Sequence, residues 1–124
     1  MAQSELNLNP SVIDLYRAVG VEELEDIKLC GKFRPHPLGR SMESKWFLKS
    51  FEDAKKWGEV FYFDKENIDI FYVVKASITS NVATTMFHAK NIDNIGDGVS
   101  IYEEFLDQLK PLNSWQIKRQ KNNV

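Results

Sequence analysis

The stretch Val12 to Val19 is rich in β-branched and aromatic residues and ends at Gly20, which predicts a strand. Leu15 and Val19 fall on one side and Tyr16 and Ala18 on the other, so both faces are partly apolar. Arg17 stands inside it. The period then changes. Val21, Leu24 and Ile27 recur every three residues, predicting a helix over Val21 to Cys30. Glu22, Glu23, Glu25 and Asp26 load its first turns, where the helix dipole favours negative charge, and Lys28 lies near its end. Gly31 supplies the left-handed stop. From Lys32 to Ser41, Pro35, Pro37 and Gly39 preclude a regular element, leaving a basic loop with Lys32, Arg34 and Arg40.

Lys45 to Lys49 reads as a short strand with Trp46 and Leu48 on one face and Phe47 on the other. Ser50 is placed to cap a helix whose buried stripe is Phe51, Ala54 and Trp57 and whose end is Gly58. Val60 to Phe63 and Ile68 to Thr79 predict two strands around a polar turn. The second carries one apolar face, Ile68, Ile70, Tyr72, Val74, Ala76 and Ile78. Val82 to His88 predicts a further strand, Asn91 to Gly98 a loop, and Val99 to Tyr102 a short strand. Tyr102, Phe105, Leu106 and Leu109 fit a terminal helix stopped by Pro111, with Trp115 to Arg119 as an edge strand. Strands that mix with segregated helices in this order predict an α+β fold.

The 124 residues suffice for one domain, with a core of about 12–112 between frayed polar termini. A formal charge of −2 gives no general attraction to nucleic acid. One cysteine, Cys30, cannot form an internal disulfide, and neither His36 nor His88 has a partner at metal-site spacing, so no metal is expected. The opening residues lack the basic and apolar segments of a signal peptide, and no apolar run approaches the roughly 20 residues of a membrane helix. The expectation is a cytoplasmic protein away from membranes, or one exported without an amino-terminal signal peptide.

Arg17 carries the first candidate chemistry. A guanidinium held by a strand can grip a phosphate or carboxylate with two bonds, or it can simply pair with a nearby acid. Lys45 and Lys49 flank Trp46 and Phe47, a pattern that suits a stacked base beside phosphate and equally suits an ordinary strand with snorkelling lysines. Ser50 serves as a cap or as a pocket group. Asp97, Glu103 and Glu104 are the carboxylates nearest the last predicted strand, though the latter two also fit the first turn of the helix that follows.

Taken together, Leu15-Tyr16-Arg17-Ala18, the helix ending at Gly31, and Lys45-Trp46-Phe47-Leu48-Lys49-Ser50 leading into Phe51 and Trp57-Gly58 resemble the amino-terminal half of bacterial ADP-ribosyltransferase-like domains of the small toxin or effector type. Ile95 to Ile101 and the Phe105 to Leu109 segment are similar to the closing strand and helix of that family. The resemblance implies a split antiparallel sheet with short flanking helices, and an enzyme that transfers ADP-ribose from NAD to a protein or nucleic-acid target. It also implies, as a further partner, a cognate immunity or antitoxin protein.

By the same resemblance, Arg17 binds NAD and Ser50, the last residue of Leu48-Lys49-Ser50, supports the pocket. Tyr16, Trp46 and Phe47 flank the nicotinamide, and Asp97 or Glu103 stabilises the developing ribosyl cation. The chain departs from the family where a Ser-Thr-Ser or Tyr is usual and where a Glu is usual. Asp97 is one methylene shorter than that Glu, and small misplacements cost about a hundredfold in rate. The departures favour an alternative, a catalytically degenerate module that binds a partner protein on the same scaffold. A third reading is a small phage or immunity protein whose exposed aromatics form an interface. Aromatics are 12% of the chain. Phe51, Trp57, Tyr72 and Phe105 are expected in the core, with Tyr16, Trp46 and Phe47 at a site.

Overall fold

The structure is a computed structural model and describes residues 11–35 and 44–120. The first strand, β1 (Val12–Val19), passes through Gly20 into α1 (Val21–Cys30), which Gly31 terminates at φ 72° with its N–H on the Ile27 carbonyl. After the loop, whose residues 36–41 with Arg40 lie outside the described part, come β2 (Ser44–Leu48) and α2 (Phe51–Gly58). Then follow β3 (Ile70–Thr79), the single turn α3 (Ser80–Ala83), β4 (Phe87–Ile92), β5 (Gly96–Tyr102) and β6 (Lys110–Lys118). The strands form one six-stranded sheet in the order β4-β5-β2-β1-β3-β6, antiparallel at every junction. The fold is α+β.

Both faces of this sheet are covered, which accounts for apolar residues on both sides of β1 and β3. On one face Leu15, Val19, Phe47, Val74, Ile78, Val99 and Ile101 pack against Leu24 and Ile27 of α1, Phe33 and Leu106. On the other, Ala18, Leu48, Phe71 and Val73 pack beneath Ala54 of α2, with Trp57, Tyr62 and Phe63 around them. The single apolar face expected of β3 is therefore half of the pattern. Phe71 and Val73 are fully buried on the opposite side, while Ile70 is 37% exposed and Ile68 precedes the strand.

The expected strand Val60–Phe63 is instead a π-helical continuation of α2 over Glu59–Lys65. An all-apolar run of four residues has no period of its own, and packing decides it. Here Tyr62 stacks on Phe71 at 5.4 Å and Phe63 meets the same ring edge-on at 5.2 Å. Gly58 is no stop, since it is helical at φ −65°. A Cβ there would lie 2.1 Å from Phe71, so this glycine lets the helix approach β3.

Three more expectations change near the carboxyl end. Val82–His88 splits between α3 and the start of β4, and the expected loop narrows to a hairpin turn with Asn91, Asp93 and Asn94 at positive φ. These residue types tolerate the left-handed region better than most. The terminal helix is a 3-10 helix over Glu103–Gln108, which still buries Leu106. Pro111 does not end the structure. It sits within β6, an edge strand, where the register with β3 shifts between Lys75 and Ala76, and an edge bulge tolerates the missing N–H.

Candidate functional site

The sheet is weakest in its middle. β1 pairs with β3 along its whole length, from Val12↔Thr79 to Val19↔Tyr72, and β2 pairs with β5 from Ser44↔Tyr102 to Leu48↔Gly98. Between β1 and β2 the only register pair among the described residues is Tyr16↔Leu48. The sheet thus consists of two halves, β4-β5-β2 and β1-β3-β6, that diverge on either side of one residue pair. Strands that diverge leave polar backbone groups to satisfy and open a space between them.

Arg17 bridges the divergence. Its Nη1 donates to the Trp46 carbonyl across the gap at 2.9 Å, supplying by side chain a bond that the ladder does not make. Its Nε and Nη2 donate to the two carboxylate oxygens of Glu23 on α1, at 2.8 and 3.2 Å. Lys45, only 5% exposed, reaches the same carboxylate at 3.4 Å. Burial opposes ionisation of Glu23, but the two cations outweigh it and hold its carboxyl below the ordinary value. Lys45 is pushed down, by burial first and then by the like charge of Arg17, so the ion pair does not compensate it fully.

On the face that carries α2, the divergence opens a cleft of about 350 Å³ lined by Tyr16, Arg17, Trp46, Trp57 and Asp93, with Ala18, Leu48 and Ile92 completing its apolar wall. Each cleft ring has an aromatic brace. Phe51 meets Tyr16 edge-on at 6.4 Å, Phe87 meets Trp46 at 6.0 Å, and Phe61 stacks on Trp57 at 5.0 Å. Rings held this way keep a fixed shape without losing much freedom when a ligand arrives. Asp93, in the β4–β5 turn, accepts a hydrogen bond from the Trp57 indole at 3.1 Å. Because α2 packs on β1 and β3, this bond links the two halves of the sheet over the cleft. Aromatic faces such as these suit a flat cation.

Of the residues singled out in the sequence, Tyr16, Arg17 and Trp46 meet at this cleft. Phe47 does not border it. The alternation of β2 turns its ring to the α1 face, where it is 1% exposed, lies edge-on to Phe33 at 5.0 Å and sits under the Arg17 guanidinium at 5.9 Å. Ser50 caps α2, its Oγ accepting the Asp53 N–H at 3.1 Å. Asp97 accepts the Asn91 N–H at 3.0 Å and so ties the β4–β5 hairpin. Glu103 and Glu104 border a separate groove of about 550 Å³ with Lys32, Arg34 and Asp107.

Trp57, Asp93 and Glu23 were not legible as site residues. Trp57 looked like part of a buried stripe, Asp93 like turn composition and Glu23 like dipole-favoured charge. The one available signal was a carboxylate within a Gly/Asn/Asp loop beside the last strands. Among the described residues, no group of three or more His, Cys, Asp or Glu is placed to hold a metal, and no helix is long and apolar enough to cross a membrane. Compared with protein-family models, curated proteins and solved structures, the chain gives no significant match.

Proposed function

We propose that the chain is a small ADP-ribosyltransferase-like domain that takes NAD as substrate in the cleft between β1 and β2 and transfers ADP-ribose to a macromolecular target. One observation carries the reading: the sheet splits beside Arg17 of the first strand, and the split opens into an aromatic cleft. A split antiparallel sheet with an arginine on its first strand is what the resemblance implies. The nicotinamide ring of NAD is a flat cation, which suits the faces of Tyr16, Trp46 and Trp57. Arg17 spends three N–H groups on Glu23 and Trp46. A guanidinium has five donors, so these contacts leave two of them unused. The toxin or effector role and the immunity partner belong to the same proposal.

A second reading, a non-catalytic binding module on this scaffold, is favoured by the position of Asp97 and Glu103 outside the cleft. Labelled NAD incubated with the protein and a cell lysate separates the two. Transfer of label to lysate macromolecules, abolished by Trp46→Ala and reduced at least tenfold by Arg17→Lys, supports the enzyme. Binding of NAD without transfer or hydrolysis supports the module. Absence of binding removes NAD from both readings.

A further inference from the structure

We infer that Asp93, in the turn between β4 and β5, is the catalytic carboxylate of this cleft, facing the ribose whose bond to nicotinamide breaks. The inference rests on the NAD reading above. It replaces the residues that the resemblance suggested, and four other carboxylates near the split are eliminated by what they touch. Asp97, whose Oδ1 accepts the Asn91 N–H, is not among the residues that line the cleft. Glu103 borders the other groove. Both oxygens of Glu23 are taken by Arg17, with Lys45 on one of them. Asp53 lies against Gly96, its carboxylate so close that a Cβ there would overlap it.

Asp93 alone of these lines the cleft with Tyr16, Arg17 and Trp46. The Trp57 indole fixes its Oδ2, and its Oδ1 has no partner among the described residues. Ile92, the residue before it, lies in the wall of the same cleft.

The chemistry asks for such a group. The bond between the ribose carbon and the nicotinamide nitrogen breaks, and its electron pair leaves with the nitrogen, so nicotinamide departs neutral. Positive charge develops on the ribose. A water molecule, or an acceptor oxygen of the target, bonds to that carbon and releases its proton to solvent. A fixed carboxylate beside the ribose lowers the barrier because the charge, held by the nicotinamide ring in the ground state, reaches the ribose only as the bond breaks.

Asp93→Asn tests this cleanly. The amide keeps an acceptor for Trp57, and Asn is at home at φ 52°. Two readouts are needed: NAD binding by quenching of indole emission, and kcat for NAD hydrolysis with water as acceptor. Binding within about threefold of wild type with kcat reduced about a hundredfold or more is expected. Asp97→Asn, which makes the same change of charge outside the cleft, should lose less than tenfold. The assignment is overturned if Asp93→Asn keeps kcat within about threefold, or if the large loss appears in Asp97→Asn instead. A wild-type protein that binds NAD without cleaving it overturns the assignment and leaves the binding module standing. One that does not bind NAD overturns both this inference and the reading beneath it.

Discussion

Glu23→Gln is the perturbation that probes the split most directly. The substitution keeps the shape and one acceptor but removes the negative charge that Arg17 and Lys45 share. Each opposite-charge pair at about 4 Å is worth about 4 kcal/mol at an effective dielectric of about 20, before desolvation is subtracted. Desolvation cancels much of that in the native state. Removing one partner, however, leaves the other charge buried without compensation, which costs about 3–5 kcal/mol in well-buried pairs. The side chains of Arg17 and Glu23 are 19% and 25% exposed, and that of Lys45 is 6% exposed. The lower end of the range therefore applies, about 3 kcal/mol. Urea unfolding at neutral pH should show this as a lower midpoint with an unchanged slope. Arg17→Met and the double variant complete a cycle in which the two changes should be coupled by about 1–3 kcal/mol. A loss below about 1 kcal/mol, or strict additivity in the cycle, would show that the trio does not hold the split together.

The same carboxylate sets an acid limit. Its folded pKa lies below the unfolded one, so its stabilisation is complete above the ordinary carboxyl range and is lost as pH falls through the depressed value. Glu23→Gln should flatten that part of the acid unfolding curve. Lys45 works in the alkaline direction: its folded pKa is lowered, so stability rises with pH between that value and the ordinary lysine value, and Lys45→Met should abolish the rise. Ser50→Ala should cost about 1 kcal/mol through loss of the α2 cap and, under the proposed reading, leave NAD binding unchanged, whereas a pocket role would weaken binding. Gly58→Ala should destabilise by about 2–3 kcal/mol in thermal unfolding, because its Cβ would overlap the Phe71 ring; an unchanged midpoint would contradict the packing described.

Much of the framework was legible because it is locally encoded. The bounds of β1 and α1, the left-handed Gly31 and the Ser50 cap follow from period, charge and turn chemistry that neighbouring residues supply. The errors fall where distant contacts decide. Val60–Phe63 is helical because Phe71 offers rings a place to stack, and Pro111 lies in a strand because that strand is an edge. The site follows the same division. Tyr16, Arg17 and Trp46 were visible as aromatics beside charge on strands. Asp93 was hidden because its link to Trp57 spans 36 residues. Phe47 was misplaced because a short strand of apolar residues does not say which face looks into a cleft.

Arg17 shows why its two readings from sequence, an anion clamp and a partner for a nearby acid, are not alternatives. A cleft made by leaving two strands unzipped exposes backbone groups that the ladder would have satisfied, and something must take their place. Arg17 does so for the Trp46 carbonyl while Glu23 fixes its plane. The guanidinium that keeps the halves from drifting apart is thereby pre-oriented beside the opening it helps create, at no further conformational cost when a ligand arrives. Lysine at this position could supply charge, but a single ammonium cannot satisfy a carbonyl on one strand and both oxygens of a carboxylate on a helix in one rigid fork. A split sheet with an arginine at its junction is thus a physical unit, and disturbing the junction should alter stability and ligand binding together.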